Sequence, residues 1–208
     1  MSVHENLLIA DFQECFQQMR HYDETFRATL SFGFGVVLAV EAASGALVEH
    51  YGFTCPVMIT VGFLLITAAL AVTLLVGLLA RNRVYFAFVV RYVNEIRGLY
   101  LAESPGGILN KAGWHTDYRF PQVFNPASTQ SIQIYFLLVC SSFLLTMGIA
   151  ALLAGRAVAV GRHPHVRWCI GAAVLVATVA LQVGCLLVYW TKKGRCKDAD
   201  TAVFGDRR

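Results

Sequence analysis

Residues 81–103 read RNRVYFAFVVRYVNEIRGLYLAE, and this stretch decides the predicted fold. It follows an apolar span with no helix-breaking residue at the junction, so a membrane helix is predicted to continue beyond the bilayer. At about 100° per residue, its aromatic and aliphatic side chains share one face. The other face holds Ala87, Arg91, Asn94, Glu95 and Gly98. We therefore predict an amphipathic helix with one packed side.

The composition of the whole chain is typical of a polytopic membrane protein. Of its 208 residues, 57% are hydrophobic and 14% are charged, whereas soluble domains have about a quarter charged residues. The net charge of +4 is small, so the expected partner is the lipid bilayer and not nucleic acid. The six cysteines form no CxxC pair and no Cys/His cluster at zinc spacing, so no cofactor or metal is expected.

Four apolar spans are predicted, each close to the ~20 residues that cross a bilayer. They are 29–48, 57–80, 132–154 and 168–190. Asn125 and Pro126 precede the third span and predict a helix N-cap followed by proline at the first helical position. The chain is therefore predicted to cross the membrane an even number of times.

The distribution of Lys and Arg predicts the orientation of these spans. Residues 1–28, 81–131 and 191–208 together hold 14 of the 17 Lys and Arg residues. The connection 49–56 has none and the connection 155–167 has three. Both termini and the central segment are therefore predicted to be cytoplasmic, with a bacterial inner membrane as the expected cell membrane.

Residues 1–27 are too long, acidic and polar for the basic region of a cleaved signal peptide, and their periodicity predicts an amphipathic helix. Five acids against two arginines favour a cytosolic protein partner over lipid headgroups. Because spans 1 and 2 are antiparallel neighbours, helices 1–27 and 81–103 are predicted to pack as a cytosolic antiparallel stalk about 25–30 Å long. The predicted stalk contacts are Phe12, Phe16, Met19, Val89, Tyr92, Val93 and Ile96, and the predicted partner-facing surface is Arg91, Asn94, Glu95 and Arg97.

The predicted fold class is all-α, a four-span transmembrane helical bundle whose spans 1 and 2 extend into the cytosolic antiparallel stalk. The expected order is a cytoplasmic helix at 1–27, a transmembrane hairpin at 28–80, a cytoplasmic helix at 81–103, a return loop at 104–131, a transmembrane hairpin at 132–190 and a cytoplasmic tail at 191–208. Aromatic residues of the return loop are predicted to pack on the stalk or at the membrane interface.

Glu41 is the only charged residue within the predicted spans, so it is the candidate intramembrane polar site. It lies about 20 Å along span 1 and about 10 Å from the outer boundary. A stripe of small residues lies roughly opposite to it on the helix: Ser31, Gly35, Ala39 and Ala43. Both faces are expected to contact protein, which predicts a homo-oligomer.

The outer connections contain further candidate residues. Cys55 and Cys169 both lie near the outer boundary, where an oxidising compartment would allow a disulfide if their Cα atoms come within about 7 Å. Glu49, His50, His163 and His165 match no established zinc spacing, so they predict no metal site.

No catalytic signature accompanies the predicted spans. The predicted function is therefore a non-catalytic membrane protein that couples the cytosolic stalk to the membrane bundle as a scaffold, sensor or membrane-acting effector. The alternative is a small proton- or cation-coupled transporter or channel that uses Glu41. An intramembrane enzyme is disfavoured because the spans contain no paired catalytic residues.

Overall fold

The chain is described by a computed structural model that covers the backbone of residues 3–103, 121–123, 125, 127–158 and 165–200. Helix α1 comprises Val3–Tyr51, α2 Cys55–Glu103, α3 Thr129–Val158 and α4 His165–Asp200, and the covered residues contain no strand. Each of the four helices is long and apolar enough to cross a membrane. The all-α class is confirmed, and the four helices are consistent with a multi-pass membrane protein.

A short connection joins α1 to α2. Gly52 follows the last residue of α1 and has a left-handed backbone conformation, with φ 71°, which ends the helix. In this conformation the Gly52 N–H donates to the Val48 carbonyl oxygen at 2.9 Å, which satisfies a carbonyl group at the helix end. Residue 54 then precedes α2, and its carbonyl oxygen accepts a hydrogen bond from the Met58 N–H at 3.0 Å. The connection 52–54 thus reverses the chain between two helices of 49 residues each.

Helix α3 begins later than the sequence predicted. The Asn125 side chain accepts a hydrogen bond from the Ala127 N–H at 3.1 Å, and the Asn125 carbonyl oxygen accepts one from the Ser128 N–H at 3.1 Å. Asn125 therefore closes a local turn, and the first helical residue is Thr129. The prediction that Asn125 is the N-cap of this helix is therefore wrong, because the helix begins at Thr129. A short polar side chain such as that of Asn125 stabilises a turn as readily as a helix end.

The covered residues form two compact units. The first unit contains those within 1–28, 80–128 and 188–208, and the second contains those within 29–79 and 129–187. Helices α1, α2 and α4 contribute residues to both units, whereas α3 belongs to the second.

In the second unit, α2 and α3 approach each other closely at glycines. A Cβ atom on Gly148 would lie 2.9 Å from the Gly62 carbonyl oxygen and 2.7 Å from the Ile66 side chain. A Cβ atom on Gly155 would lie 3.2 Å from the Met58 side chain. Later residues of α3 thus meet earlier residues of α2, so these two helices are antiparallel within the unit. Small residues of this kind allow close backbone packing where lipid removes the hydrophobic driving force between helices.

The outward-facing residues of the second unit are mostly apolar, and many of them have large side chains. The exposed large apolar side chains include Phe32, Leu38, Phe63, Leu70, Leu74, Phe136, Val176 and Leu181. Soluble proteins rarely expose contiguous apolar surface on this scale. A helix bundle that is apolar on its outside as well as its inside is the pattern expected for contact with lipid.

Candidate functional site

Within the first unit, α1 and α2 are joined by polar and aromatic contacts. The Tyr92 hydroxyl donates a hydrogen bond to the Asp11 carboxylate. The Asn82 side-chain amide donates to the Tyr22 carbonyl oxygen at 2.7 Å. The rings of Tyr22 and Tyr85 are stacked with their centroids 6.1 Å apart. These contacts connect residues 11–22 of α1 with residues 82–92 of α2.

Arg97 adds a cationic contact to the same pair of helices. Its guanidinium carbon lies 5.9 Å from the centre of the Phe12 ring and 5.5 Å from the centre of the Phe16 ring. The two rings contact each other edge to face, with centroids 4.8 Å apart. A cation placed over aromatic faces stabilises the contact by about 0.5–1 kcal/mol at an exposed site. Arg97, predicted to face a partner, therefore contacts α1 of its own chain.

The predicted stalk contacts differ in burial. Val93 is 0% exposed and Ile96 is 4% exposed. Phe12, Phe16, Met19 and Val89 are half-buried, and Tyr92 is exposed apart from its contact with Asp11. Two further α1 residues, Cys15 and Phe26, are buried, and their spacing of eleven residues, three helical turns, follows the same periodicity.

The side of α2 that was predicted to face outward is largely covered. Arg91 is 8% exposed and Asn94 is 2% exposed. The Arg91 Nε donates to the Pro121 carbonyl oxygen at 3.0 Å, and the nearby Val123 is buried. A predicted outward-facing surface therefore does not hold at Arg91 and Asn94, whereas Glu95 is partly exposed. The helical period identifies a polar face but does not show which chain segment returns to cover it.

Inside the second unit lies a polar network that the sequence did not predict. The hydroxyl oxygens of Thr73 and Ser141 are 2.7 Å apart, and both lie within hydrogen-bond distance of the Ala69 carbonyl oxygen. The Gln182 amide donates to the Thr73 hydroxyl oxygen at 3.2 Å. Its carbonyl oxygen accepts from the Ser142 hydroxyl at 2.8 Å. Side chains of α2, α3 and α4 thus share one hydrogen-bonded network.

The groups of this network complement one another as hydrogen-bond donors and acceptors. Each hydroxyl has one proton to donate and can also accept, and the amide supplies both a donor and an acceptor. In an apolar medium such bonds connect helices, with a typical contribution of about 0.6 kcal/mol each. The available sequence signal was weak, because Thr73, Ser141, Ser142 and Gln182 are isolated polar letters in three separate apolar spans. Their convergence required the tertiary structure.

Glu41 is exposed on α1. Among the described residues its carboxylate makes no hydrogen bond and no ion pair. One turn later, Ser44 is buried, and its hydroxyl makes no hydrogen bond within the described part of the chain. The predicted small-residue stripe is exposed as well: Ser31, Gly35, Ala39 and Ala43. In the described part of the chain, Glu41 and the small-residue stripe on this helix are therefore both exposed.

Several predicted features fall partly outside the described residues. Cys55 is a free thiol, while the side chain of Cys169 is not among those described, so the predicted pair has no structural test. Two further predicted features also lie outside the described residues. They are the side chains of His163 and His165 and the aromatic part of the return loop. Where side chains are described, no group of three or more potential metal ligands occurs.

Comparison with known proteins adds no family assignment. No protein-family model, curated protein or solved structure matches this chain. The two units, the polar network and Glu41 are therefore the features from which a function is inferred.

Proposed function

We propose that the protein is a non-catalytic integral membrane protein that couples a cytosolic helical stalk to a four-helix membrane bundle, acting as a scaffold, sensor or membrane-acting effector. The observation that carries the proposal is the series of contacts between α1 and α2 in the first unit. It includes the Asp11–Tyr92 hydrogen bond, the Tyr22–Tyr85 stack and the position of Arg97 over two rings.

The register of these contacts supports an antiparallel stalk. Residue 11 meets residue 92, and residue 22 meets residues 82 and 85, so higher numbers on α1 pair with lower numbers on α2. Helices α1 and α2 are also each continuous through residues of both units. A continuous helix transmits a displacement along its axis, because its backbone hydrogen bonds resist bending between turns. A cytosolic protein that binds the stalk would thereby act on the membrane helices.

The surface of α1 supports a cytosolic environment for the stalk. The exposed residues of its first half are mainly polar or charged: Asp11, Gln13, Glu14, Gln17, Gln18, Arg20, His21, Glu24, Thr25 and Arg27. Together with the distribution of Lys and Arg, this pattern favours both termini in the cytoplasm. Such a surface suits a protein partner, since it lacks the Lys- and Arg-rich face that binds anionic lipid.

The stalk is tested by crosslinking four positions in two pairings. Cysteines at positions 11 and 92, or at 22 and 85, should be joined by a short bismaleimide in membranes. The exchanged pairs, 11 with 85 and 22 with 92, use the same positions and are displaced by about 10 Å along the helix axis, so they serve as matched controls. Mass spectrometry of the linked peptides separates these products from those of the six native cysteines. Preferential linkage of the exchanged pairs would refute the stalk.

The orientation is tested separately with reporter fusions. A cytoplasmic reporter fused after Arg208, and a second one inserted at Glu24, should both be active on the cytoplasmic side. Activity of a periplasmic reporter at either position would overturn the proposed topology. This measurement does not depend on whether the stalk helices pack together.

A transporter or channel is the alternative function, and two observations favour it. Glu41 is an ionisable residue within an apolar span, and the second unit contains the Thr73–Ser141–Gln182 network. Intramembrane ionisable groups commonly mark proton or cation pathways. Proteoliposomes with a pH-sensitive dye distinguish the two functions. Flux that Glu41→Gln abolishes, with insertion intact, would establish the alternative, whereas equal dye signals for protein-containing and empty liposomes support the coupling function.

A further inference from the structure

The position of Glu41 constrains where its carboxyl group lies. Glu41 precedes the end of the predicted first span at residue 48 by seven residues, or about 10 Å. Side chains on an α-helix point toward its N-terminus, and for α1 this direction leads away from the nearer end of the span. The carboxyl group therefore extends deeper into the span and does not reach back to the nearer boundary.

A carboxyl group at this depth requires a polar partner. In lipid there is no water to satisfy it, and an unpaired polar or charged group costs several kcal/mol. Among the described residues Glu41 has no hydrogen-bonding partner, and its side chain is exposed on the outside of the unit. The described residues supply no such partner, whereas a second chain can supply one.

We propose that this flank of α1 binds a second copy of the chain and that the two Glu41 side chains, in their protonated form, hydrogen-bond to each other. The inference rests on the membrane placement of the proposed function. A carboxylic acid is complementary to itself, because its O–H donates and its C=O accepts. Copies inserted in the same orientation are related by a two-fold axis along the membrane normal, so Glu41 of each copy lies at the same depth.

The residues beside Glu41 allow the close approach that this pair requires. Gly45, one turn later on the same flank, has open space, since a Cβ atom added there would meet nothing within 4 Å. Leu38, one turn earlier, is 66% exposed and supplies an apolar contact. Small residues permit short distances between helix axes, and hydrogen bonds then stabilise the pair in lipid. Leu38, Glu41 and Gly45 thus form a contact flank with one polar pair at its centre.

Photo-crosslinking tests where a second copy binds. A benzophenone amino acid replaces Leu38 in the full chain, and in separate proteins Leu74 of α2 or Leu181 of α4. The three side chains are 66%, 73% and 68% exposed, so the two control positions match the test position in accessibility. We expect dimer adducts from position 38 and mainly lipid adducts from positions 74 and 181. Dimers formed only from a control position, or adducts of position 38 with lipid alone or with an unrelated protein, would overturn the inference.

Energy transfer between copies tests the role of Glu41 itself. Donor and acceptor fluorescent proteins are fused after residue 208, and the chains are diluted in phosphatidylcholine and phosphatidylglycerol vesicles. Glu41→Leu should weaken dimerisation about tenfold, whereas Glu41→Gln should stay within about threefold of the unmodified chain, because an amide also donates and accepts. A dimer of Glu41→Leu as stable as the unmodified one would contradict the carboxyl pair.

The two proposals fail in different ways. The crosslink between positions 11 and 92 forms within one chain, whereas energy transfer requires two chains. A monomer that retains the 11–92 crosslink overturns only the Glu41 pair. A dimer that lacks the 11–92 crosslink overturns only the stalk.

Discussion

The two units use the same helices α1 and α2 but stabilise their contacts differently. In the first unit, the contacts are a tyrosine–aspartate hydrogen bond, stacked tyrosines and an arginine over two phenylalanines. In the second unit, they are glycines at close backbone distance and buried hydroxyl and amide hydrogen bonds. The outward-facing residues of α1 change correspondingly from mainly polar in 9–28 to mainly apolar or small in 29–48.

This difference is what the proposed change from water around the first unit to lipid around the second unit predicts. In water, burial of large aromatic and aliphatic side chains is itself favourable, so helices can pack through bulky residues. In lipid, burial of apolar surface contributes little to the free energy of helix association. Helices there associate through close van der Waals packing and hydrogen bonds. We therefore expect the stability of the first-unit contacts to depend mainly on burial of apolar side chains. The stability of the second-unit contacts should depend mainly on close packing of the helices. Four substitutions test this in order of expected effect.

The largest effect is expected for Ile96→Arg in the first unit. Ile96 is 4% exposed, and an uncompensated charge in such a site destabilises by about 4 kcal/mol. Hydrogen exchange of residues 82–97 in nanodiscs measures the local free energy of opening. The control Gln17→Arg places the same side chain at an exposed position. It should change the local free energy of opening by less than about 0.5 kcal/mol. Equal small effects for both variants would mean that this seam is hydrated.

Gly148→Ala should cause the next largest loss, in the second unit. The added methyl group would lie 2.9 Å from the Gly62 carbonyl oxygen, and backbone atoms cannot move aside without separating α2 from α3. We expect a loss of about 3 kcal/mol in unfolding by detergent titration. Gly77→Ala is the matched control on α2, because its Cβ atom would meet nothing within 4 Å. The control should be neutral or slightly stabilising, since alanine favours helix over glycine. Similar values for the two alanines would contradict the close-fit explanation.

Thr73→Val should have a smaller effect, of about 1 kcal/mol. It removes hydrogen bonds to Ser141 on α3 and Gln182 on α4 while keeping the shape of the side chain. The Thr60 hydroxyl donates only to the Pro56 carbonyl oxygen of its own helix, so Thr60→Val is the control and should be nearly neutral. The same detergent titration compares them. A Thr60→Val cost as large as that of Thr73→Val would show that the network adds nothing between helices.

The smallest effect is expected for Tyr92→Phe in the first unit. Its hydrogen bond to Asp11 is exposed, and such a bond contributes about 0.5 kcal/mol because water competes for both groups. Hydrogen exchange of residues 9–16 should register this change. Tyr51→Phe is the control, since the Tyr51 side chain is exposed and has no described hydrogen bond. A loss above about 2 kcal/mol would place the Tyr92–Asp11 pair in a dry environment and reduce the contrast between the units.

The sequence by itself determined the helical class and the number of membrane-length helices. Length and apolar composition suffice for this, because a bilayer of fixed thickness demands about 20 apolar residues and backbone hydrogen bonds satisfied within the helix. It also identified Glu41, because this residue is the only charged one in the four predicted spans and charged residues are rare inside a bilayer.

Only the tertiary structure decided which polar residues meet and which faces are covered. Thr73, Ser141 and Gln182 lie far apart in sequence, and no period relates residues on different helices. Arg91 and Asn94 have the spacing of an outward-facing side, yet both are buried, and Arg91 donates a hydrogen bond to the Pro121 carbonyl oxygen. Helical periodicity fixes which residues share a face, whereas the partner of that face depends on the path of the whole chain.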